Sequence, residues 1–321
     1  MADFINVENL TYCDKYAQEI MVKELYESNL RGYGFTYMPG VKYKQQIVTG
    51  NVGDLFQAYT CPFSPSGAVT LTESWITPVV IKVNLENCYD DFWKLYMSEQ
   101  TEISLNGGIP QMFFEWFFQS RLLVELRREY EDIFFNGDTA YEGSKNHLKL
   151  VDGLIKQMGT NVNTKHIKGT AFTVDNILAQ VQALSMAVPE DVVLDDFKIF
   201  MNINDVRVLK AALGKSSPLT VDIWSNFTRE GERIFVNGIE VVATLQARNS
   251  MIMGPAKNIV LGYDVADSEV QYKLIDMRET TLDNTFRVGV ITNIAIGYAY
   301  PELFTISTPE LEKQQIIVKK S

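Results

Sequence analysis

The chain has 321 residues, of which 46% are hydrophobic and 21% charged, enough apolar material for a sizeable core in one or two domains. A formal net charge of -11 disfavours sequence-specific DNA or RNA binding. The N-terminal "MADFINVENL" does not read as a signal peptide, and no stretch approaches the ~18 apolar residues of a membrane-spanning helix. Without a secretory context the sequons at 9–11 and 226–228 carry no meaning. Cys13, Cys61 and Cys88 are odd in number and widely spaced with no CxxC pair, so they read as reduced thiols in a cytosol-like compartment.

Residues 14–27, "DKYAQEIMVKELYE", predict a helix. Asp14 is its N-cap, and Ala17, Ile20, Met21 and Leu25 form the apolar stripe. It is short enough to need a partner surface. Residues 32–70 turn rich in Gly, Pro, Tyr, Thr and Val and cannot be a long helix. The strand-like pieces "KYKQQIVTG" and "AVTLTESWI" flank a Pro/Ser/Gly stretch at 61–67, which predicts a long two-stranded excursion with a loop at its tip. An isolated hairpin is marginal in water, so a persistent one lies on another surface.

In "PVVIKVNL" (78–85), Val79, Ile81, Val83 and Leu85 face one way while Lys82 and Asn84 face the other, a half-buried strand. After "NGGIP", residues 111–134 predict the strongest helix, with Pro110 at its start and Phe113, Phe117, Leu123, Leu126, Tyr130 and Phe134 recurring along a broad apolar face. At 1.5 Å per residue such a helix runs about 36 Å. It ends in "EYEDIFFNGD", where Gly137 is the expected C-cap or turn position. Glu129, Glu131 and Asp132 fan around the helix, so they read as a solvated face pairing with Arg127, Arg128 or another subunit, and not as a metal site.

Residues 173–188 predict a helix ended by Pro189, "FKIFMNI" (197–203) a buried strand, and 204–215 a helix capped by Asn204 or Asp205 with Gly214 at its end. This is the pattern of an α/β lobe. "ERIFVNGIEVVATL" (232–245) predicts a hairpin, since Asn237-Gly238 between alternating strands suits a type I′ turn. The end of the chain is dense in β-formers. Phe286, Val288 and Val290 alternate, as do Ile294, Ile296 and Tyr298, which predicts long antiparallel strands.

Catalytic signatures are missing from the sequence. His147 and His166 sit in no HExxH and near no GxSxG elbow, and His147, in the loop-like "SKNHLKL", reads as a surface or lightly packed imidazole. "GYG" at 32–34 is not GxGxxG, there is no phosphate-binding GxxxxGK[ST], and Cys61 lacks a Cys–His signature. Two acids converging in space would still serve a carboxylate-dependent hydrolase, which stands as a remote alternative.

The order of these elements resembles the major capsid proteins of tailed bacteriophages, the Hong Kong 97-type fold. "EYEDIFFNGD" with "LVDGLIKQM" (150–158) is similar to that family's end-of-helix stretch and turn into its axial domain. "VDNILAQVQALSMAV" followed by "FKIFMNINDVRVLKAAL" resembles the axial helix, strand and helix. "SMIMGPAKNIVLGYDV" and "FRVGVITNIAIGYAYPELFTI" resemble the closing passage.

The resemblance implies an α+β chain with an N-terminal arm at 1–31, an extended β-hairpin loop at 32–78, and a peripheral domain at 79–152 whose spine helix is 111–134. An α/β axial domain at 153–252 and return strands with a C-terminal tail at 253–321 complete it. It implies a structural protein, not an enzyme, with no cofactor. Its partners would be further copies in hexameric and pentameric capsomers, a portal, a separate scaffolding protein, and packaged double-stranded DNA held by non-specific contact only, with no membrane. Its place would be the virion capsid, assembled in the cytoplasm of a bacterial host. Phe56, Tyr59 and Phe63 at the loop tip, with Arg127, Arg128 and Glu131 on the spine helix, are the expected inter-subunit contacts. Lys42 and Lys44 lie on the excursion, but no motif marks a cross-linking partner, so no covalent cross-link is expected. An encapsulin-type shell protein shares the implied fold and is the nearer alternative.

Overall fold

The computed structural model describes residues 29–53, 56, 59, 69–105, 122–188, 196–216, 234–263, 273–278 and 281–309. The expected helix at 14–27, most of the loop tip with Phe63, and the first part of the expected spine helix lie outside the described residues.

Three sheets organise these residues. The first is built on one long strand, β12 (Thr285–Tyr298), which merges the two alternating blocks near the end of the chain into a single element. On one side it pairs antiparallel with β4 (Val79–Cys88) over ten residues, from Thr285↔Cys88 to Ile294↔Val79. β11 (Lys273–Asp276) pairs antiparallel with its first half and β10 (Ile259–Tyr263) with its last four residues, and β10 carries β1 (Thr36–Pro39) in parallel. The predicted alternation holds: Phe286, Val288 and Val290 are buried while Arg287 and Ile291 face out. In β4, Ile81 is buried and Lys82 and Asn84 are exposed.

The second sheet has six strands in the order β5 (Lys165–Lys168), β13 (Thr305–Thr308), β9 (Met251–Pro255), β6 (Phe197–Asn202), β8 (Ile239–Thr244) and β7 (Ile234–Val236). Both faces are covered, which is why β6 and β9 read as continuous apolar runs. Ile199, Met201, Met251 and Met253 pack with helices α4 (Ile177–Ser185) and α5 (Ile203–Ser216). Phe200 and Ile252 point the other way, into a core shared with the end of helix α2 (Leu123–Asn136). Asn237 and Gly238 have φ of 52° and 81°, the two left-handed residues a type I′ turn requires between β7 and β8. Helix α5 begins at Ile203, one residue before the expected caps. The Asn202 carboxamide oxygen accepts from the Asn204 N–H, so the cap is the last strand residue.

The third sheet is the predicted excursion, β2 (Gln45–Val52) paired antiparallel with β3 (Val69–Ile76). Helix α1 (Tyr89–Leu105) is an element the sequence reading did not separate from its surroundings. Its aromatic and aliphatic residues crowd both flanks, so no single apolar stripe marks it.

Gly137 follows α2 but is not a left-handed cap: its φ is -53° and ψ 137°. Its role is close approach. A Cβ there would lie 2.2 Å from the Val151 carbonyl oxygen and 3.0 Å from the Gly153 nitrogen. Gly153 N–H donates to the Gly137 carbonyl at 2.8 Å, and Asp138 N–H to the Leu148 carbonyl at 2.7 Å, closing the segment between them into a compact loop. Gly137→Ala and Gly153→Ala should each destabilise the unassembled chain by about 1–3 kcal/mol through overpacking. Urea unfolding of each variant against the wild type checks this, and Gly214→Ala, where a Cβ meets nothing within 4 Å, is the control.

Candidate assembly surfaces and the helix-end junction

The acidic end of α2 is an internal junction. Glu131 is 3% exposed. Its Oε1 accepts from the Tyr33 hydroxyl at 2.8 Å and from the Leu245 N–H at 3.1 Å. Five residues on, Asn136 Nδ2 donates to the Leu245 carbonyl at 2.9 Å, and Asn136 Oδ1 accepts from the Ala247 N–H at 2.5 Å. The two side chains thus satisfy the backbone of 245–247, just past β8, as a neighbouring strand would. Burial, and then the negative Glu131 beside it, push the Tyr33 hydroxyl well above the usual tyrosine range, so it remains a donor.

Asp132 binds the loop that follows. It accepts from Asn136 Nδ2 at 2.6 Å, Lys145 Nζ at 3.0 Å and His147 Nε2 at 3.0 Å. Burial raises its carboxyl, but the hydrogen bonds from His147, Asn136 and Lys145 outweigh that and hold it below the usual carboxylate range. His147, read from sequence as a loose imidazole, lies in a 3₁₀ turn with its other ring nitrogen 3.8 Å from Glu129. The next pair repeats the device: Lys156 bridges Asp138 and Asp152, and Asp152 also accepts from the Thr139 N–H. Among the described residues no group of three His, Cys, Asp or Glu side chains converges as a metal would require.

The hairpin has two unlike faces. Ile76, Ser74, Thr49 and Ile47 share the face turned to the first sheet. Ile76 is fully buried with Val41, Val260 and Ala295, and the Ser74 hydroxyl donates to the Tyr298 carbonyl at 3.3 Å. The opposite face carries Val48 across from Glu73, Leu71 across from Gly50 and Trp75 across from Gln46. These apolar residues are 56%, 66% and 50% exposed. Lys44 Nζ sits 4.7 Å above the Trp75 ring, a cation–π contact.

The expected contact residues fall in three places. Phe56 and Tyr59 stand beyond the end of β2, 101% and 93% exposed, while Phe63 is outside the described residues. Arg127 is half-buried, and exposed Arg128 donates to Glu125 on its own helix. Glu131 is a correction: it is buried within the subunit and committed to Tyr33 and Leu245, so it offers no surface contact. Trp75, Leu71 and Val48 escaped the sequence reading. The available signal was apolar residues on both sides of an alternating strand, since Trp75 and Ile76 cannot share a face.

No family model and no curated protein matches the sequence. The fold has clear counterparts among solved structures. A chain of the satellite phage P4 procapsid including the size determination protein is similar over 91% of this chain and 90% of its own, with a TM-score of 0.60 at 12% identity. A chain of the capsid of Myoviridae phage XM1 matches over 87% and 91%, with a TM-score of 0.53 at 10% identity. A chain of the capsid of cyanophage P-SCSP1u matches over 85% of each, with a TM-score of 0.53 at 10% identity. The α+β architecture described here is therefore the fold of phage capsid structures, shared over nearly the whole chain.

Glu131→Ala leaves two buried donors without their acceptor and should cost about 2–4 kcal/mol, with Asn136→Ala costing about 2. Urea midpoints of the unassembled variants test this. Asp132 adds a pH signature. Its folded-state pKa is depressed, so its stabilisation is present above the unfolded carboxylate value of about 4 and is lost as pH falls through the folded value. Asp132→Asn should lower the melting temperature at pH 7, and the gap to wild type should narrow as pH falls below about 4.

Proposed function

We propose that this chain is the major capsid protein of a tailed bacteriophage, a subunit that assembles through hexameric and pentameric capsomers into an icosahedral head around double-stranded DNA. The observation that carries this reading is the two-faced hairpin. A two-stranded sheet is marginal in water. This one is rooted on one face and presents Val48, Leu71 and Trp75 on the other, where the rest of its own chain leaves them exposed. A second subunit would cover that stripe, and the fold shared with phage capsid chains supports the same conclusion.

On this reading residues 1–31 are the arm and 32–78 the extended loop reaching an adjacent subunit. Residues 79–152 are the peripheral domain, 153–252 the axial domain, and 253–321 the returning strands and tail. The strand pairings refine the reading: β13, within the return, completes the axial sheet, while β1, within the loop, joins the peripheral one. Phe56, Tyr59 and Phe63 are the proposed anchors at the loop tip, with Arg127 and Arg128 as rim contacts. The net charge of -11 suits an interior that holds DNA by non-specific contact only. A portal and a separate scaffolding protein are the further partners, the bacterial cytoplasm is the site of assembly, and the virion is the destination.

Expression of the full chain, light scattering behind size exclusion and negative-stain imaging test this. Rings of five or six, tubes or closed shells are expected, and a chain that remains monomeric both alone and when co-expressed with its scaffolding protein overturns the reading. Leu71→Ser combined with Trp75→Ser should reduce assembly at least tenfold. Because both residues are exposed in the single chain, the variant's monomer stability should stay within about 0.5 kcal/mol per substitution.

A further inference from the structure

The charges of this chain are unevenly spread. Residues 79–152 carry 13 Asp and Glu against seven Lys and Arg, whereas 153–252 carry ten of each. The acidic balance of the chain therefore lies outside the stretch proposed as the axial domain, and a polyanion meets least repulsion there. Among the described residues of that stretch, helix α5 gathers cations on one side. Its inner face, with Val206, Leu209 and Ala212, packs into the axial core. Its outer face carries Arg207, Lys210 and Lys215, and the single acid of the helix, Asp205, is fully buried.

The helical period makes these cations one surface. Arg207, Ala211 and Gly214 follow each other at i, i+4 and i+7 and are all exposed, with Lys210 and Lys215 on either flank. Arg207 donates to the neutral Asn204 at 3.2 Å, so that contact leaves its charge uncancelled. Arg248 extends the row at the start of the helix. Its Nε lies 3.6 Å from the buried Asp205 Oδ1, while its own side chain is 63% exposed. Lys215 meets the exposed Asp175 at 2.6 Å, a surface pair of the kind that contributes little and is open to exchange. The neighbouring helix α4 shows Ala179, Gln182 and Ala183 to solvent and adds no carboxylate of its own. From residue 205 to residue 215 the row runs about 15 Å at 1.5 Å per residue.

We infer that the outer face of α5, together with Arg248, is a contact surface for the phosphate backbone of double-stranded DNA. The inference rests on the reading of a head around DNA, and it names the part of the subunit that meets the genome. A row of about 15 Å spans about four phosphates of one strand at 3.4 Å of axis each. Ala211 and Gly214 between the cations offer no anchor of the kind a protein partner buries, but they keep the face low enough for a backbone to approach. Contacts to phosphate carry no sequence information, which suits a genome of any sequence. At about 0.1 M salt charges more than ~10 Å away are largely screened, so these cations outweigh the net charge of the chain at close range. Each contact is weak, and repetition over many copies makes it effective.

Fluorescence anisotropy of short labelled DNA duplexes with the full chain, between about 50 and 200 mM salt, tests this. Duplexes of unrelated sequence should bind alike, with a slope of log K against log salt of about -3. Arg207→Gln and Lys210→Gln should each flatten that slope by about 1. Asp175→Asn, which removes the acid paired with Lys215, should tighten binding, and Lys82→Gln on the outer face of β4 should leave it unchanged. Melting temperatures equal to wild type show that these substitutions alter the surface and not the fold. Absence of binding at the lowest salt, or a slope indifferent to both Arg207→Gln and Lys210→Gln, overturns the inference. If polyglutamate displaces the duplex as well as unlabelled DNA does at equal charge, the face takes an acidic protein segment and the DNA assignment falls. The duplex assay needs no assembly, so the two readings fail separately. A chain that assembles without binding DNA loses this surface and keeps the capsid reading, while one that binds DNA yet never assembles with its scaffold loses the capsid reading instead.

Discussion

The structure hangs on the way α2 grips the backbone just beyond β8. Glu131 and Asn136 take up the Leu245 N–H, the Leu245 carbonyl and the Ala247 N–H, and Tyr33 closes the set from the chain's N-terminal side. Backbone groups leaving a sheet edge must find partners when they are buried. Here the partners are two side chains five residues apart on one helix. That choice fixes both the rotation and the axial position of α2 against the six-stranded sheet. Phe134 and Phe135 are then placed, fully buried, among Phe35, Phe200, Ile252 and Phe304. The polar contacts set the register and the aromatic core supplies most of the stabilisation, since each fully buried phenylalanine contributes about 1.5–3 kcal/mol by area alone.

A second constraint is the length of β12. It pairs with β4, β11 and β10, so one strand holds the first sheet together and gives it two distant ends. The hairpin grows from one end and α1 from the other. The glycine clasp between residues 137 and 153 acts similarly at a smaller scale. It turns the chain from α2 toward α3 (Leu154–Thr160) without a long connection, and the Asp132 and Asp152 contacts hold the closed loop against the helix.

Much of the fold was legible where a residue type answers to one local geometry. Asn237-Gly238 marks the I′ turn because two positive φ values in sequence suit few other pairs. Alternation marks β4 and β12 because one face of each is buried along most of its length. The site was less legible. Glu131 reads as a surface acid because its partners, Tyr33 and Leu245, lie about a hundred residues away in opposite directions. Gly137 reads as a cap because sequence reports that glycine is needed and not why. The reason is a backbone 14 residues downstream. Helix α1 is hidden because its apolar residues stand on more than one flank, so no single stripe marks it.

That last point bears on how the chain divides its apolar surface. The junction and the core are completed by one chain, with charges neutralised internally. The hairpin face and α1 are not, and both expose aromatic or aliphatic residues at moderate density with charge alongside. A patch strong enough to bind irreversibly at first encounter would trap misoriented subunits. A patch that binds weakly lets a ring correct itself before the next subunit adds, and repetition of the contact around a closed assembly raises the effective concentration at each remaining site. On the proposed assembly, polar residues set into the hairpin's apolar face, Glu73 and Gln46, would keep each single contact in that weak range.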